Sequence, residues 1–187
     1  MENGEHKQIK DIKIGDRVQV IDTYSGKITT DTVFMFLDRD TVAESFFYEI
    51  RTVDHKLIVT PRHLVYASRD KQTFTNIQPI YAKDITENSY LHIDNNGTIS
   101  HQKVLSKRRV WKRGFYAPLT YAGTIIVNGV AASCYSLLSV HDLAHWAMYP
   151  MRILSSVPGM INSDVNGIHW YANILYEILW PVLPMFS

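Results

Sequence analysis

"TIIVNGVAASCYSLL", residues 124–138, reads as two strands joined by a tight turn. Asn128-Gly129 suits the two left-handed positions of a type I′ turn, since asparagine tolerates positive φ and glycine adopts it freely. Working outward, the same punctuation recurs. VQVID (18–22) meets Tyr24-Ser25-Gly26 and then KITTDTVFMFLD (27–38). FFYEIRTV (46–53) meets Asp54-His55-Lys56 and LIVT (57–60), and YLHID (90–94) meets Asn95-Asn96-Gly97 and TISHQKVLS (98–106). β-rich runs parted by turn residues at this spacing predict an all-β body from about residue 12 to 139.

The body carries an internal echo. Lys10-Asp11-Ile12, a turn at Gly15 and the alternation Val18-Gln19-Val20 recur 73 residues on as Lys83-Asp84-Ile85, Asn88 and Leu91-His92-Ile93. Two β halves related by pseudo-symmetry would produce this pattern. Beyond it the composition changes. SVHDLAHWAMYPMRIL (139–154) is helical in character as far as Pro150, Pro158-Gly159 and 162–167 read as a linker, and the tail pairs Trp170/Tyr171, Ile174/Leu175 and Ile178/Leu179 at helical spacing. The expected division is residues 1–140 for the β body and 141–187 for a small helical region. The tail is interrupted by Glu177 and two prolines, so it predicts a docked or interfacial helix rather than a membrane span of about 20 apolar residues.

Composition bounds the chemistry. The 187 residues carry a net charge of +1, and the densest basic cluster, Lys107-Arg108-Arg109 with Lys112 and Arg113, reads as a solvated strand face, so no nucleic-acid partner is expected. One cysteine, Cys134, excludes an intrachain disulfide framework and a Cys-rich zinc motif. MENGEHK has no basic-then-apolar leader, and Asn96-Gly97-Thr98 is a glycosylation sequon. No P-loop, dinucleotide fingerprint or serine elbow is present.

Four polar residues interrupt apolar runs, and each has a bland alternative. Thr60 and His63, in LIVTPRHLVYA (57–67), are either a hydroxyl and an imidazole delivered to one site or strand-end residues tied to backbone. Asp38 follows Val33–Leu37 and either carries chemistry or simply caps a strand or pairs with Arg39 or Arg51. Cys134 is either reactive or a small core hydrophobe. His141 and His145 share a helix face but lack a third metal ligand in any spaced motif.

Their joint order decides more than any one of them. IKDIKIGDRVQVID, FMFLDRD, LIVTPRHL, APLTYAGTIIVNGVAASCY, HDLAHWAMYPMRIL and GIHWYA, in that order, resemble the autoprocessing C-terminal domain of Hedgehog proteins over about residues 8–180. The resemblance implies an intein-like Hint fold of two pseudo-symmetric β halves, followed by a helical sterol-recognition region. It implies an autocatalytic, cysteine-dependent endopeptidase and cholesterol transferase. A cysteine opening the domain attacks the preceding Gly carbonyl to form a thioester, and a sterol hydroxyl then displaces the thiol. By matching position, His63 protonates the departing amide nitrogen, Thr60 holds the scissile amide, Asp38 activates the sterol hydroxyl, and Cys134 is a second cysteine near the site. No cofactor or metal is implied; cholesterol is a co-substrate. The implied partners are the upstream signalling domain, a sterol and, through the tail, a membrane surface, in the secretory pathway.

One element of the pattern is missing. The family's domain opens on Cys, usually followed by Phe, whereas Met1-Glu2-Asn3-Gly4 stands inside the expected first hairpin. The chain as written is therefore expected to be a fragment, inactive alone, with an exposed sheet edge. The alternatives are a catalytically dead Hint relic that binds sterol or membrane and, lowest, a His-based metal protein.

Overall fold

The repeated Lys-Asp-Ile tripeptide builds the same object twice. The computed structural model describes residues 1–2, 4–69, 78–135, 145–155 and 167–179. Ile9–Asp11 and Ala82–Asp84 each wind one 3-10 turn. The flanking residues adopt matching extended dihedrals: Gln8 (φ −66°, ψ 143°) and Ile12 (φ −62°, ψ 139°) around the first, Tyr81 (φ −63°, ψ 140°) and Ile85 (φ −69°, ψ 133°) around the second. β1 (Arg17–Ile21) and β6 (Tyr90–Asn95) follow at the same 73-residue offset. The two halves of the chain thus start alike.

The body is β throughout. β1 is followed by a 24-residue strand, β2 (Ile28–Arg51), then β3 (Lys56–Val59), β4 (Leu64–Ser68) and β5 (Pro79–Tyr81). After β6 come β7 (Thr98–Lys103), β8 (Ser106–Thr120), β9 (Thr124–Val127) and β10 (Val130–Ser133). The remaining described elements are α1 (Tyr149–Ser155), a two-residue strand β11 (Gly167–Ile168) and α2 (Trp170–Leu179). One sheet is built on β2, which takes β1, β3, β8 and β11 as antiparallel partners; the other contains β4–β7, β9 and β10.

Both predicted Asn-Gly turns adopt the required handedness. Asn128 and Gly129 have φ of 50° and 78°, and Asn96 and Gly97 have 52° and 87°. The β9–β10 hairpin then pairs Val127 with Val130 and Thr124 with Ser133. Sequon residue Asn96 is exposed at the tip of the β6–β7 hairpin.

Apolar runs close three core clusters. One gathers Val18, Val20, Val33, Phe34, Met35, Phe36, Leu119, Ile125 and Cys134, and also takes Met148 and Met151 from the C-terminal region. The tail stripe divides on folding: Tyr171 and Leu175 pack against this cluster with Ala172 buried, while Trp170 and Ile174 stay exposed. Among the described residues, no helix is long and apolar enough to cross a membrane.

Candidate functional site

The Thr-x-x-His segment is a tight turn between β3 and β4. The His63 amide donates to the Thr60 carbonyl at 3.1 Å, and Pro61 supplies the fixed φ that the second position of such a turn favours. The turn is tied from outside by the second 3-10 turn: Lys83 N–H donates to the Pro61 carbonyl at 2.8 Å and Ala82 N–H to the His63 carbonyl at 2.9 Å. Lys107 Nζ in turn donates to the carbonyls of Ala82 and Lys83. The repeated Lys-Asp element of the second half therefore serves as the bracket for the candidate catalytic turn of the first.

Asp38 is aimed by a bulge. Phe36 pairs with Pro118 of β8, but Asp38, two residues on, pairs with the adjacent Ala117, so Leu37 is extra. Pro118 has no N–H to continue the ladder, which is where a strand pair tolerates a bulge and redirects the next side chain. The carbonyl of Leu37 is satisfied from the other edge, accepting from the His169 amide at 2.9 Å. β11 ends there, pairing Gly167 with Arg39 and Ile168 with Asp38. Burial raises the Asp38 carboxyl above the ordinary carboxylate range; the charge of Asp40 adds to the rise, and the Arg39 amide opposes it.

Asp38, Thr60, His63 and Cys134 all line one cavity of about 250 Å³, together with apolar groups such as Phe47, Leu57, Phe115 and Pro118. Three segments remote in sequence converge here. His63 is only partly covered overall, yet the packing around its ring pushes its pKa down, against a hydrogen bond to the Ser133 backbone that pulls the other way. Neutral imidazole donates one N–H to that carbonyl and leaves the other nitrogen free to take and give a proton.

Cys134 is buried, and burial pushes its thiol up to about 11. Thr120 donates its hydroxyl hydrogen to the Thr124 carbonyl at 2.8 Å, so across the 3.7 Å contact to Cys134 the thiol is the donor. A protonated, hydrogen-bonded, enclosed thiol is a poor nucleophile.

Beside Cys134 lies a polar group that the residue pattern alone did not disclose. From α1, Arg152 Nη2 donates to Tyr135 Oη at 2.5 Å and to His145 Nδ1 at 2.6 Å, and its Nη1 donates to the His145 carbonyl. Burial raises the Tyr135 phenol despite the neighbouring guanidinium. Gly123 is required beneath it, since a Cβ there would lie 2.7 Å from His145 Nδ1. A nitrogen facing a guanidinium is poorly placed for a metal ion; His141, the other half of the weighed pair, lies outside the described residues. Among the described residues no group of three or more metal-ligating side chains occurs.

A family model described as "Hint module" matches residues 1–184. The chain is 35% identical over 205 aligned positions to "Protein hedgehog" of Drosophila hydei, covering 98% of this chain and 42% of the relative, and the figures for the Drosophila melanogaster protein are the same. The chain thus spans less than half the length of these relatives. Among solved structures, a DnaB intein from Synechocystis sp. PCC 6803 superposes with a TM-score of 0.56 at 11% identity, covering 70% of this chain and 87% of that one. A KlbA intein precursor from Methanococcus jannaschii gives 0.53 at 21% identity, over 67% and 69% of the two chains. At such identities these likenesses speak to fold alone.

Proposed function

The chain belongs to the Hint-module family and within it to the Hedgehog proteins, and from that premise we propose that it cleaves the peptide bond ahead of its own domain and passes the acyl group to a lipid alcohol, cholesterol being the expected one. The observation that carries this reading is the convergence of Asp38, Thr60 and His63 on one cavity. In the first step a cysteine at the domain junction attacks the preceding carbonyl. The C–S bond forms, the C–N bond breaks, and the amide nitrogen needs a proton to leave. His63 starts neutral, so it takes the thiol proton and returns it to the nitrogen. Thr60, three residues away on the same turn, donates its hydroxyl to the scissile amide. Cys134 is unsuited as the nucleophile and serves as a neutral wall residue; the reacting thiol belongs to the junction of the longer precursor.

In the second step the alcohol replaces the thiol. Asp38 removes the hydroxyl proton as the oxygen attacks the thioester carbonyl, the C–S bond breaks, and the proton ends on the departing sulfur. A carboxylate of ordinary pKa is a weak base toward an alcohol, and the raised pKa of Asp38 brings it closer to what the task needs. The proposed setting is the secretory pathway, with the upstream signalling domain as substrate and the exposed apolar side chains of the tail available to a membrane surface.

Two reactions of the full precursor test this. Thiolysis by dithiothreitol reports thioester formation alone, whereas cholesterol-dependent cleavage reports both steps. His63→Ala should depress both by at least about 100-fold. Asp38→Ala should leave thiolysis near wild type and abolish sterol transfer. Wild-type thiolysis in His63→Ala, or equal loss of both reactions in Asp38→Ala, removes the respective assignment.

A further inference from the structure

Lys107 departs from the solvated basic cluster that its neighbours form. Arg108, Arg109, Lys112 and Arg113 are exposed, whereas Lys107 is half-buried. Its Nζ lies 4.6 Å from the centre of the Tyr48 ring, and Tyr48 pairs with Val59, the residue that leads into the Thr60–His63 turn. On its other side the ammonium donates to the carbonyls of Ala82, at 3.3 Å, and Lys83, at 2.7 Å. Two carbonyls and a ring face together hold the charge in place rather than leave it to swing through water.

Those carbonyls matter for what lies behind them. The Ala82 carbonyl and the Lys83 N–H belong to one peptide group, and that N–H donates to the Pro61 carbonyl at 2.8 Å. The Ala82 N–H, one peptide group earlier, donates to the His63 carbonyl at 2.9 Å. A cation at the Ala82 oxygen draws electron density toward it and makes the same group's N–H a stronger donor, because hydrogen bonds in a chain polarise one another. Lys107 thus tightens a bond to the turn without touching the turn. With both carbonyls held, and the His63 amide bonded to the Thr60 carbonyl, the backbone that carries the imidazole has few ways to shift. Asp38 takes its position from a separate device, the bulge opposite Pro118.

We propose that Lys107 is a positioning residue for the first step: through the Ala82–Lys83 peptide group it holds the turn that aims His63 at the scissile amide. This rests on the first half of the acyl-transfer reading above. The full precursor carrying Lys107→Gln or Lys107→Arg is compared with wild type, alone and in the His63→Ala background, well below the melting temperature. Lys107→Gln slows thiolysis by dithiothreitol about ten-fold, while cholesterol capture of a preformed thioester stays within about two-fold of wild type. Lys107→Arg keeps the charge and has donors for both carbonyls, so it recovers most of the rate. In the His63→Ala background Lys107→Gln costs nothing further, since a residue that acts through the imidazole has nothing left to position. Thiolysis at the wild-type rate in Lys107→Gln overturns the assignment. Equal slowing of both steps, or a full further loss on top of His63→Ala, overturns it too, because Lys107 would then prop the β body rather than the imidazole. All three results leave the acyl-transfer reading standing. A wild-type precursor that thiol fails to cleave sinks that reading and this assignment with it, whereas failure with cholesterol alone sinks only the second half of the reading.

Discussion

Thr60 and His63 are joined by a 3.1 Å hydrogen bond from the histidine amide to the threonine carbonyl, so one four-residue turn holds both the hydroxyl and the imidazole. Their separation is set by backbone rather than by side-chain torsions. Pro61→Gly keeps every backbone hydrogen bond of the turn available but loosens the unfolded chain and the turn alike. It should cost about 1 kcal/mol of stability and slow thiolysis more than it slows sterol capture of a preformed thioester. Denaturant titration and the two cleavage assays measure the two effects; a variant slowed equally in both steps would separate the turn from the first one.

The raised pKa of Asp38 has a second cause that can be removed without touching the cavity. Asp40 repels the Asp38 carboxylate, while its own Oδ1 accepts from the amides of Val42 and Ala43 at 2.8 Å each. Asp40→Asn retains that acceptor and deletes the charge. The acidic limb of the pH profile for sterol transfer should move to lower pH, because the base then stays ionised further down, while the thiolysis profile keeps its place. An unmoved transfer limb would show that the limb belongs to another group.

Cys134→Ala should preserve thiolysis within a few-fold and cost roughly 1 kcal/mol in stability, since a thiol with its pKa pushed up to about 11 is neutral at physiological pH. Loss of thiolysis in a variant whose melting temperature is near wild type would place the thiol in the chemistry after all.

Acid should weaken the fold through His92. The ring is buried, neither of its nitrogens has a hydrogen-bond partner, and it lies edge-on to His101 at 4.5 Å. Burial, then the charge on His101, lowers its pKa from 6.5 to about 4. The folded state refuses a proton that the unfolded chain accepts. Stability is therefore full above about pH 6.5 and declines as pH falls toward 4, by about 3 kcal/mol in all from this group. His92→Phe should flatten the slope of unfolding free energy across that window; an unchanged slope would assign it to the other depressed histidines, His63, His101 and His169.

Gly123→Ala should be severe. The residue sits at φ +72°, and an added Cβ would lie 2.7 Å from His145 Nδ1 and 2.9 Å from the Tyr135 ring. Strain and collision together should cost roughly 2–4 kcal/mol, read as a drop in melting temperature. A near-neutral result would mean that the Tyr135–His145–Arg152 group gives way easily and is not a fixed brace for α1.

What could be read from the chain was local. Asn96-Gly97 and Asn128-Gly129 specify their turns through backbone preference, and the Lys-Asp-Ile echo marks two copies of one 3-10 turn. Thr60, His63, Asp38 and Cys134 could be named from a family pattern, and the fold brings all four to one cavity. The parts that escaped depend on partners far away. Nothing near Leu37 signals a bulge until Pro118 is laid against Phe36, and a two-residue strand at Gly167–Ile168 has no periodicity to detect. The tail's apolar pairs predicted one stripe, but packing splits them, with Tyr171 and Leu175 inward and Trp170 and Ile174 outward. Arg152 carries no signal of a role in the sequence, and only its place beside Tyr135 and His145 gives it one.

The single long strand β2 also sets a schedule. Asp38 meets Ala117, and Val65, just past the Thr60–His63 turn, meets Ala132, only after β8 and β10 have left the ribosome. At about 5–20 residues per second, the stretch from Asp38 to Cys134 takes on the order of 5–20 s to synthesise. Throughout that interval the cavity that Asp38, Thr60, His63 and Cys134 line is incomplete. A strand shared by so many neighbours thus works as a delay line: the cavity walled by β2, β8 and β10 cannot close until nearly all of the β body exists.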